Sequence, residues 1–458
     1  MRPHLGIKRL QKGLRVVRRA GRARASVHGS SLRRCQPAIV PGGNTQDVSR
    51  RLNKAWTDAV LTRSGQYRSS IGARRRHGRR DRLATIPPDP AGFGRIALVL
   101  QGGGALGSYQ AGVYQAMHEA GLEPDWLAGV SIGAINAALI AGNARADRLP
   151  RLREFWERIT HRKLWPFAPD GDDLRRARNV QSALATLSLG TPGFFRPNPI
   201  NPWLAPRGSA GATAFYQTGA LRETLEGLVD WALLDQPGGH PRLAVGAVNV
   251  TTGNFQYFDS AMLPLVPEHV MASGALPPGL PAVRIGGEWF WDGGLVSNTP
   301  LQYLLEDELD CRDALVFQVD LFPARGPLPR DMEEVLGREK DIRYSSRTRM
   351  NTDAYTRLRR WQLRLKSALD RLPEASLTAE DRAMRERLAR LPRLSILQMV
   401  YQAKAYEGQA KDYEFGPETM REHWQSGLED TRRTLARPDW RVLPAEDPGI
   451  VTHDVHRD

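Results

Sequence analysis

The feature that most constrains the fold is an uncharged stretch of 19 residues, 126–144, that contains Gly129-Val130-Ser131-Ile132-Gly133. An apolar run enters this pattern and alanine-rich sequence leaves it, which predicts a strand, a sharp turn and a helix. A serine at such a turn has a strained backbone and an exposed hydroxyl, and the two glycines remove Cβ atoms that would collide where strand and helix close. Ser131 is therefore a candidate nucleophile, with Gly129 and Gly133 as the flanks of its elbow.

The same stretch is long enough to be a candidate transmembrane helix. Its glycines, Ser131 and Asn136 favour a different interpretation, a buried strand followed by a buried helix. A strand that is buried on both faces also has a continuous apolar sequence.

A glycine-rich loop precedes this unit. An apolar run at 95–101 predicts a strand, the loop Gly102-Gly103-Gly104-Ala105-Leu106-Gly107 follows, and 109–120 has a helical composition. Such a loop can direct several backbone N–H groups to one point at a helix N-terminus, which suits a phosphate or a developing oxyanion.

A dinucleotide site is one interpretation of this loop, because its glycines match the spacing Gly-x-Gly-x-x-Gly. That fingerprint also needs an acid at the end of the second strand to bind the ribose. Here Asp125 stands at the start of that strand and Ser131 at its end. A P-loop is excluded because no Gly-Lys-Ser/Thr follows the glycines.

A third motif lies further along the chain. The run 283–291 predicts a hairpin around Gly286-Gly287, which leads to Asp292-Gly293-Gly294 and a loop ending at Asn298-Thr299-Pro300. An Asp-Gly-Gly by itself is usually only a turn. Because it follows two other glycine-bearing motifs, it has a second interpretation, as a functional motif that acts with them.

Taken in order, Gly102–Gly107, Gly129–Gly133 and Asp292–Gly294 resemble the three motifs of the patatin-like phospholipases, over roughly residues 93–325. The resemblance implies a three-layer α/β/α fold with a central, mostly parallel sheet, and hydrolysis of lipid or phospholipid acyl esters. Two departures stand out. Leu106 replaces the Arg or Lys of many members, and Gly294 replaces the commoner alanine.

The resemblance also implies roles for individual residues. Ser131 would be the nucleophile and Asp292 its base, with Gly107, Gly293 and Gly294 as supporting loop residues. The oxyanion hole would be built from backbone N–H groups of the glycine loop: Gly102, Gly103, Gly104 and Ala105. The C-terminal third, with Asp341-Ile-Arg-Tyr-Ser-Ser346 and Lys411-Asp-Tyr-Glu-Phe415, resembles an extension seen in a bacterial subgroup.

Ester hydrolysis requires an activated nucleophile, a base within reach, and donors where negative charge develops. A histidine base is one option, and five histidines lie outside the N-terminal arm and the C-terminal end: His118, His161, His240, His269 and His423. The order Ser, Asp, His favours His423, yet it lies in a helical pattern. We expect Asp292 to accept the Ser131 proton directly, in a dyad that needs no metal and no cofactor.

Two alternatives remain open at this point. One is an esterase of the α/β-hydrolase type with a Ser-His-Asp triad. The other is a non-catalytic scaffold that binds a membrane or a partner and retains a hydrolase domain.

Charge is unevenly distributed along the 458 residues. Residues 1–85 carry 22 Lys and Arg and only three Asp, whereas the whole chain has a formal net charge of +15. We interpret 1–92 as a basic arm of low order. An over-extended reading frame, a transit peptide, or an arm that binds anionic membrane or nucleic acid are the alternatives. Because few aromatic residues accompany the charge, no specific nucleic-acid partner is predicted.

Two cysteines, Cys35 and Cys311, give no disulfide framework. The default is a reducing compartment, the cytoplasm, with the protein peripheral to a membrane. Three parts are expected: the arm at 1–92, a catalytic domain at 93–325, and a mostly helical extension at 326–458. Nothing in the sequence indicates the oligomeric state or the preferred lipid.

The remaining segments follow local patterns. Helices are expected at 149–159, 219–234, 267–274 and 417–435, and strands at 242–250, 254–258, 314–320 and 394–402. Residues 192–203 combine turn formers with aromatic residues, which predicts either a lid or pocket wall for an apolar substrate or a packed surface loop.

A basic helix is expected over 338–372, where 11 Lys and Arg stand against four acids. Leu358, Trp361, Leu365 and Leu372 fall on one helical face. Either this face packs on the catalytic domain, or it contacts an anionic lipid surface.

Overall fold

The computed structural model describes residues 92–161, 171–236, 240–306 and 312–454. The predicted arm lies outside these residues except for Gly92, and so do Cys35 and Cys311.

Strands form a nine-stranded sheet and a separate two-stranded ribbon. In chain order the strands of the described residues are β1 (Arg95–Leu100), β2 (Trp126–Val130), β3 (Arg196–Pro197), β4 (Tyr216–Gln217), β5 (Arg242–Asn249), β6 (Phe255–Asp259), β7 (Val283–Ile285), β8 (Glu288–Asp292), β9 (Ala314–Asp320), β10 (Leu394–Val400) and β11 (Ile450–Asp454). The large sheet has the order β11-β10-β9-β1-β2-β5-β8-β7, with β6 also paired to β5. The six strands from β11 to β5 are parallel, and β6, β8 and β7 are antiparallel to their neighbours.

Helices connect the strands and cover the sheet. They are α1 (Ser108–Glu119), α2 (Ile132–Ala141), α3 (Arg148–Ile159), α4 (Asp172–Leu189), α5 (Gly219–Leu228), α6 (Trp231–Leu234), α7 (Pro267–Ser273), α8 (Leu301–Leu305), α9 (Met332–Tyr344), α10 (Thr348–Asp370), α11 (Ala379–Leu388) and α12 (Pro417–Ala436). None of the helices in the described ranges is both long and apolar enough to cross a membrane.

The sheet is buried on both faces. In β1, Leu98 and Leu100 belong to one apolar cluster with residues of α1, α2 and α3, whereas Ala97 and Val99 belong to a second cluster with residues of α8. Neighbouring strand residues point to opposite faces, so each cluster is one interface between the sheet and a helical layer. The predicted three-layer α/β/α fold is therefore confirmed.

The C-terminal segment is built onto the same sheet. Strands β10 and β11 extend it beyond β9, and α12 packs on α1, where the Tyr109 hydroxyl donates to Asp430 over 2.8 Å. Strands on both sides of the predicted boundary between 325 and 326 thus share one sheet.

Local patterns located most elements but not their ends. The helix expected at 219–234 is two helices, α5 and α6. The basic helix expected at 338–372 is also two, because the chain turns between α9 and α10, where Arg347 has a left-handed φ of 49°. Helix α4 and strand β11 were not anticipated.

The apolar face predicted on this basic helix does not pack on the catalytic domain. Its four residues lie on α10 and its C-terminal end, and they are exposed by 45–66%. The buried positions of α10 are instead Thr348, Arg359 and Leu369.

Candidate active site

Ser131 occupies the turn between β2 and α2. Its backbone has φ 56° and ψ −125°, and it is one of two non-glycine residues with positive φ in the described chain. Strain of this kind persists only where the surrounding structure enforces it, and it is concentrated at functional sites. The predicted strand, sharp turn and helix are thus present around this serine.

The glycines on either side allow the turn to close. A Cβ atom on Gly129 would lie 2.4 Å from the Gly133 carbonyl oxygen, and one on Gly133 would lie 2.3 Å from the Leu100 carbonyl oxygen. Neither position can accept a side chain without moving backbone. Glycine is required at both positions because β1, β2 and α2 approach each other closely here.

A buried serine on α7, Ser273, holds the elbow in place through hydrogen bonds. The Ser131 N–H donates to Ser273 Oγ over 3.0 Å, and the Ser273 hydroxyl donates to the Gly246 carbonyl over 2.6 Å. The elbow is therefore tied to β5. No local pattern indicated Ser273, because its partners lie 142 and 27 positions away.

Sheet register brings Asp292 to the same level as Ser131. Val130 pairs with Gly246, and the next residue of β5, Ala247, pairs with Asp292 of the antiparallel β8. The aspartate thus reaches the elbow across one intervening strand, although 161 positions separate it from the serine.

The two side chains line the same cavity. The Ser131 hydroxyl lies close enough to the Asp292 carboxyl group to lower its pKa, and Asp292 Oδ1 accepts the Gly294 N–H at 2.7 Å. Asp292 is 2% exposed. Burial raises its pKa to about 7, although the Ser131 hydroxyl and the Gly294 N–H act in the opposite direction. A carboxylate with this pKa is a stronger base than an ordinary aspartate.

The glycine loop lies beside the serine, and its N–H groups differ in availability. The Gly102 N–H donates to the Asn298 carbonyl at 3.2 Å, and the Ala105 N–H donates to the Asp412 carbonyl at 2.7 Å. The N–H groups of Gly103 and Gly104 have no acceptor within the described part of the chain. Of the four predicted oxyanion donors, these two are available to a ligand.

The supporting glycines are placed around these groups. Gly107 ends the loop, and its carbonyl accepts from Asn136 Nδ2 at 2.9 Å. Gly293 packs on β5, since a Cβ there would lie 2.5 Å from the Gly246 carbonyl oxygen. Leu106 is fully buried.

A cavity of about 340 Å³ opens at this point. Its polar residues include Ser131, Asp292 and Asn298, and most of the rest of the wall is aromatic or aliphatic: Leu187, Phe194, Phe195, Tyr216, Leu276, Pro277, Pro278, Leu280, Phe322, Tyr344, Tyr413 and Phe415. A largely apolar pocket with a few convergent polar groups is the usual form of a small-ligand site. A larger cavity, about 670 Å³, lies against α3 and α12 and contains none of the motif residues.

The aromatic segment 192–203 contributes to this cavity in part. Phe194 and Phe195 are buried in the wall, with their ring centroids 5.2 Å apart. Trp203, at the other end of the segment, is 87% exposed. The interpretation as a pocket wall therefore applies to the two phenylalanines.

No histidine lines the cavity among the described residues. His423, which chain order favoured, is fully buried and bonds Glu407 Oε1 at 2.7 Å. His118 bonds Glu123 at 2.6 Å, and His161 bonds Thr186 at 2.9 Å. These three imidazoles have polar partners other than Ser131.

Asn298 is a site residue whose role the sequence did not indicate. Its Nδ2 donates to the Gly102 carbonyl at 3.0 Å and to the Tyr344 carbonyl at 3.1 Å. Its place at the end of the Asp292 loop was a possible signal. Tyr344 and Asp412 come from the C-terminal segment, and no local pattern connected them to the site.

Comparison with known proteins gives two family matches. The model described as "Patatin-like phospholipase" matches residues 98–305, and DUF3734, described as "Patatin phospholipase", matches residues 342–447. The first includes Ser131, Asp292 and the glycine loop. The second includes Tyr344 and Asp412.

Similar individual proteins match over short segments. The lysophospholipase nte1 of Aspergillus terreus is 45% identical over 78 residues, which is 16% of this chain and 5% of that protein. An uncharacterized NTE family protein of Mycobacterium tuberculosis is 42% identical over 88 residues, 16% of this chain and 15% of that protein. The triacylglycerol lipase ptl3 of Schizosaccharomyces pombe is 42% identical over 62 residues, 14% of this chain and 13% of that protein.

Among solved structures, VipD from Legionella pneumophila aligns with a TM-score of 0.34 and 16% identity, over 83% of this chain and 72% of that chain. The two family matches lie in the expected order and include both predicted catalytic side chains. The chain contains a patatin-like phospholipase domain at residues 98–305.

Proposed function

We propose that this protein hydrolyses acyl esters of lipids, with Ser131 as nucleophile and Asp292 as general base. The observation that carries the proposal is that Ser131, on a strained elbow, and the buried Asp292 line one largely apolar cavity. The family match at residues 98–305 and the names of the similar lysophospholipase and lipase support the substrate class.

In the first half of the reaction, Ser131 Oγ attacks the ester carbonyl carbon while Asp292 takes the hydroxyl proton. The carbonyl oxygen becomes an oxyanion, which accepts hydrogen bonds from the N–H groups of Gly103 and Gly104. When the intermediate collapses, the C–O bond to the leaving alcohol breaks, and Asp292 donates its proton to that oxygen. An acyl-enzyme on Ser131 remains.

In the second half, water attacks the acyl carbon and gives its proton to Asp292. Collapse of this intermediate releases the fatty acid, and the proton returns to Ser131 Oγ. A base whose pKa is about 7 accepts a proton more readily than an ordinary aspartate, and the apolar wall keeps bulk water away from the carboxylate.

The apolar wall fits the acyl chain of the substrate. Phe194, Phe195, Phe322 and Phe415 bring aromatic rings to one cavity. The transfer of methylene groups from water to such a wall favours binding by roughly 0.8 kcal/mol for each group buried. A substrate with a chain of several carbons should therefore bind more tightly than an acetate ester.

The exposed face of α10 is a second part of the proposal. We propose that it contacts an anionic membrane surface, because exposed apolar side chains alternate there with exposed arginines. The apolar members are Leu358, Trp361, Leu365 and Leu372, and the basic members are Arg357, Arg360, Arg364 and Arg371. Apolar insertion and attraction to anionic headgroups act together on such a face.

The decisive experiment for the catalytic assignment is covalent labelling with a fluorophosphonate. Wild-type protein should be labelled once and lose activity on p-nitrophenyl butyrate. Ser131→Ala should remove both labelling and turnover, whereas Ser376→Ala, which changes an exposed serine of the C-terminal segment, should behave as wild type. Residual turnover in folded Ser131→Ala protein would refute the assignment.

A further inference from the structure

The C-terminal segment reaches into the candidate active site. Tyr344, Asp412, Tyr413 and Phe415 line the same cavity as Ser131. The first of these residues ends α9, and the others lie in the connection between β10 and α12. Two separate parts of the segment therefore meet at the site.

The first contact is made by the Asp412 carbonyl, which accepts the Ala105 N–H at 2.7 Å. The preceding loop residue, Gly104, has φ 54°, and a Cβ there would lie 2.0 Å from the same carbonyl oxygen. The C-terminal backbone thus packs directly against the glycine loop, at a position that only glycine fits.

The second contact is made by the Tyr344 carbonyl. It accepts from Gln101 Nε2 at 2.9 Å and from Asn298 Nδ2 at 3.1 Å. Gln101 is the residue before the glycine loop, and Asn298 Nδ2 also donates to the Gly102 carbonyl at 3.0 Å. The start of the loop is therefore held to the end of α9.

One lysine connects the two contacts. Lys340 lies one helical turn before Tyr344, and its Nζ donates to Asp412 Oδ1 at 2.7 Å and to the Gln409 carbonyl at 2.8 Å. The side chains of Lys340 and Asp412 are each about one-fifth exposed. Residues 340–344 and 409–412 thus form one bonded unit around the glycine loop, which we call the loop clamp.

We propose that the loop clamp is a positioning device of the C-terminal segment, which holds the Gly103 and Gly104 N–H groups where the oxyanion forms. This inference rests on the proposed function. Preorganised donors stabilise a transition state only while their geometry is maintained, and removal of one such donor reduces kcat by about 10²–10³. Loss of the clamp would displace donors without removing them, so a smaller reduction of kcat is expected.

The test is Lys340→Met, which removes both lysine hydrogen bonds but retains a long side chain. Lys340→Arg is the conservative variant. Lys366→Met is the matched control, because Lys366 pairs with Asp370 on exposed α10 and does not touch the clamp. The measurements are kcat and KM on p-nitrophenyl butyrate, and Ki for an alkyl trifluoromethyl ketone, whose adduct with Ser131 carries an oxyanion.

Lys340→Met should lower kcat by about 10-fold or more with little change in KM, and it should raise Ki by a similar factor. Lys340→Arg should recover most of both losses, and Lys366→Met should match wild type. The ketone separates positioning from stability, since a smaller folded fraction lowers the apparent kcat but leaves Ki unchanged.

A fall in kcat at constant Ki would overturn the inference, and so would unchanged kcat and Ki in Lys340→Met. Failure of the proposed function is a separate result. It would appear as turnover in Ser131→Ala or as a wild-type protein that the ketone does not inhibit.

Discussion

Ser131 and Asp292 line one cavity, and the two residues reach it from either side of β5. The serine is strained by its turn, and the aspartate is almost completely removed from solvent. Each residue is therefore held in a state that costs stability and that ester hydrolysis can use. Five predictions test how this site and its surroundings work.

The first prediction distinguishes a dyad from a triad. Asp292→Asn should reduce turnover by several orders of magnitude, because an amide cannot accept the serine proton. Replacement of His118, His161, His240, His269 or His423 by Gln should change kcat only modestly in any variant that folds. Steady-state kinetics on p-nitrophenyl butyrate provides the comparison. A folded histidine variant without measurable turnover would instead support a triad.

The second prediction concerns pH. Because burial raises the pKa of Asp292 to about 7, kcat/KM should fall as the pH decreases through about 7, where the base becomes protonated. This acid limb overlaps that of a histidine, so temperature provides the distinction. The apparent pKa should move little between 10 and 35 °C for a carboxyl group, whereas that of an imidazole decreases. A strongly temperature-dependent limb would contradict Asp292 as the base.

The third prediction concerns stability. The folded-state pKa of Asp292 lies above its ordinary value, so the folded protein favours the protonated carboxyl, and stability is lost as the pH rises from about 4 to about 7. At 1.36 kcal/mol per pH unit, the cost reaches about 4 kcal/mol above pH 7. Asp292→Asn should remove it. Chemical denaturation should show the variant to be more stable at pH 8, with the difference shrinking towards pH 4.

The fourth prediction concerns the glycine loop. Gly104→Ala should abolish most activity, because its Cβ would collide with the Asp412 carbonyl and displace the loop. Gly286→Ala is the matched control, since Gly286 has a similar φ of 57° but open space around it, in the hairpin between β7 and β8. Both variants should lose some thermal stability. Equal activity in the two would show that the close contact is unimportant.

The fifth prediction concerns the exposed face of α10. Trp361→Ser should weaken binding to vesicles that contain phosphatidylglycerol, while turnover of a soluble short-chain ester stays unchanged. Co-sedimentation with vesicles measures the binding. Trp203→Ser is the comparison, because Trp203 is also exposed but lies at the end of the aromatic segment 192–203. If only Trp203→Ser weakens binding, the membrane-contacting surface lies at residues 192–203.

Sequence alone determined the local parts of the site. The elbow around Ser131 and the strand β2 were predictable, because Gly129 and Gly133 are steric requirements of a single short turn. The hairpin that ends at Asp292 was also predictable, because its turn residues and its two strands are adjacent in the chain. The family motifs then ordered these parts into one fold.

Tertiary structure decided which parts meet. Ser273, Tyr344 and Asp412 reach the site through contacts between residues far apart in the chain, and such contacts have no local periodicity. The exposure of the apolar face of α10 was also beyond the sequence, because a helical pattern identifies a face but not what covers it. The pKa of Asp292 depends in the same way on burial, which only the packed fold creates.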